Sequence, residues 1–77
     1  MVYFRDMSPL HLQIRLRQLR ETAGLTQIAL AELAGVSQRA ISDLETGKTQ
    51  RIDLELLDRV SRALRVDPGA LFRRVKA

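Results

Sequence analysis

Cysteine and tryptophan are both absent from this sequence. Without cysteine there is no disulfide to staple the chain and no thiolate to hold a metal. The only histidine, His11, cannot build a zinc site by itself and reads as an ordinary surface or boundary residue. No metal and no cofactor are therefore expected. No run of ~18 apolar residues offers a membrane span, and the opening "MVYFRDMSPL" lacks the apolar core of a secretory signal. A cytoplasmic protein with no membrane partner is the expectation. Enzymatic machinery is missing too. There is no glycine-rich phosphate cradle, no cluster of metal ligands, and no serine or carboxylate constellation around the one histidine. The chain is expected not to be an enzyme.

Lysine is scarce as well: of 13 basic residues, 11 are arginine and two, Lys48 and Lys76, are lysine. Arginine's planar fork suits phosphates and guanine edges, although codon bias in a GC-rich genome produces the same excess. The net charge of +4 over 77 residues favours polyanionic partners without proving one. A chain of this size forms one small domain, burying only ~60% of its unfolded surface. It needs many aliphatic contacts or a partner.

Proline and glycine punctuate the chain at Pro9, Gly24, Gly35, Gly47, Pro68 and Gly69, cutting it into helix-sized pieces. Ser8-Pro9 reads as a cap followed by proline at the first helical position, and Gly24 would close that helix. Leu12, Leu16, Leu19 and Ala23 would be its buried stripe. Leu10, Leu12, Ile14 and Leu16 also alternate as a strand would, but the helix formers Arg15, Arg17, Gln18 and Arg20 favour helix. Thr26 caps "QIALAELA", which ends at Gly35, and Ser37 caps "QRAISDLE", which ends at Gly47. Asp53 caps a fourth helix with Leu57, Val60 and Leu64 toward the core, flanked by Leu54 and Leu56. Asp67-Pro68 opens a short fifth helix containing Ala70, Leu71 and Phe72. The prediction is a compact all-α domain of five helices over residues 9–77, preceded by an arm over 1–8.

Residues 26–47 are the most informative. At 100° per residue, Ala40, Ile41 and Leu44 fall on one side of the third helix. Gln38, Arg39, Ser42, Asp43 and Thr46 fall on the other, within an arc of roughly 140°. The apolar side docks the helix without burying it. The preceding helix is apolar almost all round through Ile28, Ala29, Leu30, Ala31, Leu33 and Ala34, and reads as core. The join "AGVS" is a short turn with a glycine, the helix-turn-helix geometry, in which the second helix enters the major groove of DNA.

"GLTQIALAELAGVSQRAISDLETGK" resembles the helix-turn-helix, about residues 26–46, of the Cro/C1 family, also called the xenobiotic-response-element family. The family includes phage repressors and many small bacterial regulators. The matching residues are Leu25-Thr26-Gln27, Leu30-Ala31, Ala34-Gly35-Val36-Ser37, Ile41-Ser42, Leu44-Glu45 and Gly47-Lys48, with looser similarity from about Leu16 to Phe72. The resemblance implies a lambda-repressor-like fold and a transcriptional regulator that binds double-stranded DNA. Gln27 matches a glutamine that meets a phosphate. Gln38 and Arg39, just after Ser37, match positions that read base edges. Ser42 and Asp43 lie one turn further, and Asp43 can accept from cytosine or hold Arg39 at i+4. Lys48, Thr49, Gln50 and Arg51 match the loop that grips backbone phosphates. Arg20 and Glu45 match a partly buried ion pair between the first and third helices, a structural role.

Ile28 and Ala29 depart from the polar residues common there, leaving apolar surface for a partner. The loop after Gly47 lacks the proline often found there, and Asp53 stands near a position that is basic in some phage repressors, which weakens a minor-groove contact. Tyr3, Phe4 and Phe72 all lie near the chain ends. "VYFR" and "LFRRV" can pair as short terminal strands, pack on each other, or form a homodimer interface through Tyr3, Phe4, Phe72 and Val75. A dimeric repressor is the leading expectation. The alternative is an antitoxin or accessory subunit whose main task is to bind a protein partner.

Overall fold

The computed structural model describes residues 10–48 and 53–76. In chain order it holds strand β1 (Leu10–Ile14), helices α1 (Leu16–Thr22), α2 (Gln27–Ala34), α3 (Gln38–Thr46) and α4 (Leu54–Leu64), one 3-10 turn (Pro68–Leu71), and strand β2 (Phe72–Lys76). The mostly helical class stands, with four α-helices among the described residues where five were expected.

The first correction concerns residues 10–14. They form a strand, not the opening turns of a helix, because β2 supplies an antiparallel partner. The register runs from Leu10 opposite Lys76 to Ile14 opposite Phe72. The two-residue alternation was therefore the signal that counted, and helix propensity prevails only after Arg15. The Arg15 N–H donates to the Leu71 carbonyl at 2.7 Å, closing the ladder where α1 begins. The expected stripe changes accordingly: Leu16 is fully buried, Leu19 half-buried and Ala23 exposed. The proposed cap at Ser8-Pro9 lies outside the described residues, as do Tyr3 and Phe4. The segment "LFRRV" does enter a sheet, but its partner is "LHLQI".

The second correction lies at the other end. Residues 68–71 make one 3-10 turn, in which the Ala70 N–H donates to the Asp67 carbonyl at 2.8 Å. Pro68 fixes the entry, but Phe72 is already extended, so no α-helix follows.

The helix ends follow the caps read from the sequence. The hydroxyl oxygens of Thr26 and Ser37 accept from the backbone N–H groups of Ala29 and Ala40, each at 3.0 Å. An Asp53 carboxylate oxygen accepts from the Glu55 N–H at 2.9 Å. Such caps satisfy donors that have no partner inside the helix. The turn between α2 and α3 is fixed by Gly35 at φ 71°, a left-handed conformation that glycine adopts without steric cost. There Val36 N–H donates to Ala31 at 3.0 Å and Gly35 N–H to Glu32 at 3.3 Å, the paired bonds of a tight helix stop. Helix α4 ends in the same way, but with Arg65 in the left-handed region at φ 59°.

One core ties these elements together. Leu16, Leu30, Ala31, Ala34, Ile41, Leu44, Leu57, Val60 and Leu71 are buried, with Ile14, Val36 and Phe72 among the half-buried residues packed on them. Helix α2 is less enclosed than its composition suggested. Ile28 and Leu33 are 55% and 63% exposed, because only Leu30, Ala31 and Ala34 face inward. In α4, Leu57 and Val60 are buried, Leu56 and Leu64 half-buried, and Leu54 is 80% exposed in the first turn.

Candidate nucleic-acid interface

Burying Ile41 and Leu44 orients α3 completely, and its polar side must then point away from the core. Gln38 and Arg39 are exposed at its first turn, and Ser42 and Asp43 are half-buried one turn on. Together with Gln27 from α2 and Lys48 beyond α3, these residues line a shallow open recess. The Ser37 side chain is turned to its cap bond with Ala40, at the edge of this surface. Lys48 is exposed, and its N–H donates to the Asp43 carbonyl at 3.1 Å. Thr49, Gln50 and Arg51 lie outside the described residues.

Arg39 and Asp43 approach to 3.7 Å, with Arg39 almost fully exposed. Asp43 thus stands within ion-pair reach of Arg39, one turn earlier on α3. A surface pair of this kind contributes little to stability.

Beneath the recess lies a stronger pair. Arg20 donates from Nε to Glu45 Oε2 at 2.5 Å and from its second terminal nitrogen to Oε1 at 3.2 Å. The first terminal nitrogen donates to the Leu25 carbonyl at 2.8 Å. The two side chains are only 11% and 4% exposed. The hydrogen bond to Glu45 keeps the Arg20 guanidinium above its ordinary pKa, against a smaller opposing effect of burial. For Glu45, burial pushes the carboxyl up. The hydrogen bonds from Arg20 and Gln27, with the Arg20 charge, outweigh it and hold the group below its ordinary value. Arg20 thus clamps α1 to α3 and is unavailable to a phosphate.

Gln27 was expected to face a phosphate. Its amide nitrogen donates to Glu45 Oε1 at 3.0 Å, and its oxygen accepts from Gln38 Nε2 at 3.4 Å. Sequence reading missed this link. The available signal was that both glutamines hold the first position of their helices, which the turn brings side by side. Phe72 is half-buried against the core and stands opposite Ile14 in the sheet, while Val75 is opposite His11 in the register. Across the sheet, Arg73 Nε donates to Gln13 at 3.0 Å. Among the described residues no three metal-ligating side chains gather, and no helix is long and apolar enough to cross a membrane.

Comparison with known proteins places this geometry. The helix-turn-helix family model matches residues 16–71. A search of curated proteins gave no match. Among solved structures, the restriction-modification controller protein C.AhdI from Aeromonas hydrophila is 34% identical. The match covers 75% of this chain and 86% of that one, with a TM-score of 0.71. The N-terminal DNA binding domain of SinR from Bacillus subtilis is 32% identical over 74% of this chain and 83% of its own, with a TM-score of 0.70. SinR has also been solved in complexes with DNA and with SinI. The P22 c2 repressor, solved on a synthetic operator, is 37% identical over 74% of this chain and 85% of its own, with a TM-score of 0.67. From the family match and the helix-turn-helix geometry alike, the chain belongs to the Cro/C1-type helix-turn-helix family.

Proposed function

We propose that this chain is a DNA-binding transcriptional regulator, acting as a dimeric repressor that reads double-stranded DNA with α3 in the major groove. One observation carries the reading: the outward face of α3 holds Gln38, Arg39, Ser42 and Asp43 in one recess with Gln27 and Lys48. The major groove admits one α-helix, glutamine pairs with adenine and arginine with guanine. C.AhdI, SinR and the P22 c2 repressor, described as a controller, a DNA-binding protein and an operator-bound repressor, support the same class. In this reading Gln38 and Arg39 contact bases. Lys48, Thr49, Gln50 and Arg51 contact phosphates, and Ser37, Ser42 and Asp43 complete the surface. Two copies reading half-sites about one helical turn apart would supply the dimer. Repression by occluding a promoter is the simplest mechanism, and no catalytic step is involved.

Selection from a randomised double-stranded pool tests this directly. An inverted repeat with half-sites ~10 base pairs apart, bound with a steep loss of affinity between about 50 and 200 mM salt, is the expected result. Recovery of no preferred sequence would refute it. A second reading, a subunit that chiefly binds another protein, draws on the exposed Ile28 and Leu33 of α2. It predicts that function survives alanine at both Gln38 and Arg39 although DNA binding is lost.

A further inference from the structure

The hydrogen bonds between the buried ion pair and the recess run in one direction, and the buried end sets that direction. Glu45 is a carboxylate held ionised by Arg20, so it can only accept. Gln27 must therefore turn its amide nitrogen toward Glu45, at 3.0 Å. The reversed amide would set two oxygens against each other across that contact. With the nitrogen committed inward, the Gln27 oxygen faces Gln38 and can only accept, and Gln38 answers with Nε2 at 3.4 Å. What remains free on the Gln38 amide is one N–H and its oxygen, on an exposed residue. A donor and an acceptor on one amide are the pattern that pairs with N7 and N6 of adenine. A glutamine without this tether would sample other rotamers and both amide orientations, and would lose that freedom only on binding.

We infer that Glu45 is a positioning residue for base reading: through Gln27 it fixes which edge of the Gln38 amide the protein presents to the groove. This rests on the proposal that α3 reads DNA, and it gives the buried pair a second task besides joining α1 to α3. Gln27 accordingly acts between the two residues, whether or not it also touches a phosphate.

The test compares binding of the full chain to the selected operator and to duplexes altered at the base pair read by Gln38. That base pair is located with Gln38→Ala. The readout is the ratio of dissociation constants between the preferred and altered duplexes, by fluorescence anisotropy. For the parent chain this ratio should be on the order of tenfold or more. Glu45→Gln lets position 45 either donate or accept, so the direction of the chain is lost and the ratio should fall below about threefold. Gln27→Met cuts the middle link while leaving Arg20 and Glu45 paired, and should lower the ratio equally should the Glu45 variant fail to fold. Combining the two should lower it no further than either alone.

Ratios unchanged in both variants would overturn the inference. So would a Gln27→Met protein that binds every duplex more weakly by the same factor, the mark of a simple phosphate contact. A parent chain with no base preference at all would remove the DNA-reading proposal itself, and that result appears before any variant is made.

Discussion

Replacing Arg20 by methionine keeps an apolar stem of similar reach and removes the guanidinium. Glu45, 4% exposed, is then left with the single N–H of Gln27. Breaking a buried pair by removing one partner costs ~3–5 kcal/mol, chiefly through the uncompensated charge that stays behind. The 11% exposure of Arg20 argues for the lower end, about 3 kcal/mol. The Leu25 carbonyl loses its donor as well. At roughly 0.05–0.15 kcal/mol per residue, a chain of this length holds about 4–12 kcal/mol in all. The variant should thus lose a quarter or more of its stability, with a Tm lower by on the order of 12–24 °C.

The pH dependence separates this account from a mere loss of packing. In the parent, Glu45 sits below its ordinary value despite burial. Its contribution is fully present above the unfolded value of about 4.3 and is lost as pH falls through the folded one. In the Arg20→Met protein burial prevails, so the folded value rises above the unfolded one and the sign reverses. Protonation then relieves the buried charge, and the variant recovers as pH falls. Urea unfolding followed by helical circular dichroism should give a difference between the two proteins of about 3 kcal/mol at pH 7 and less than half that near pH 4. The other carboxylates act in both proteins and cancel in the difference. A difference below about 1 kcal/mol at pH 7, the value of a solvated pair, would refute the reasoning. A difference that stays constant across that range would refute it too.

Other expectations concern single positions. Arg65 occupies the left-handed region at φ 59°, which costs an L-residue ~1–2 kcal/mol. Arg65→Gly should therefore raise stability by about 1 kcal/mol, and an unchanged or lower Tm would contradict it. Ile41 is fully buried and Leu54 is 80% exposed. Ile41→Ala should cost ~2–5 kcal/mol and Leu54→Gln under about 0.5 kcal/mol, compared by urea midpoints. Arg39 is exposed and only loosely paired with Asp43. Arg39→Ala should leave the unfolding midpoint in place while costing ~1–3 kcal/mol of operator binding and relaxing preference at one base pair. An equal loss on every sequence would demote Arg39 to a phosphate contact.

The parts of this fold that could be read from the sequence are those decided within one helical turn. Thr26, Ser37 and Asp53 announce their helices because each cap bond spans only two or three residues. Gly35 announces the turn because few other residues tolerate its φ. The alternation of Ile41 and Leu44 with Gln38, Arg39 and Ser42 showed which side of α3 docks and which is presented. What could not be read depended on distant partners. Residues 10–14 carry both periodicities, and the tie is broken by β2, at the far end of the chain; the bond from Arg73 to Gln13 spans 60 positions. Leu33 reads as core in a helix apolar almost all round, and Leu54 as a flank of the α4 stripe, but both are left exposed.

The same limit explains why the link from Gln27 to Glu45 and Gln38 was not legible in the sequence. A residue's face on its own helix says where it points, and not which side chain of the next helix it meets. Glu45 and Gln38 lie at opposite ends of α3, yet both reach Gln27, because the turn at Gly35 lays the start of α2 alongside α3. A single α2 residue can then bridge the buried end of the network and its exposed end. The requirement for a carboxylate at Glu45 is therefore stricter than the ion pair alone imposes. Any acceptor of suitable size would engage Arg20, but only one that cannot donate compels Gln27, and through it Gln38, into one orientation. On the proposal that α3 reads DNA, a substitution at this buried position alters which base is preferred without touching DNA, and stability and base preference measured on the same Glu45 variants should separate the two effects.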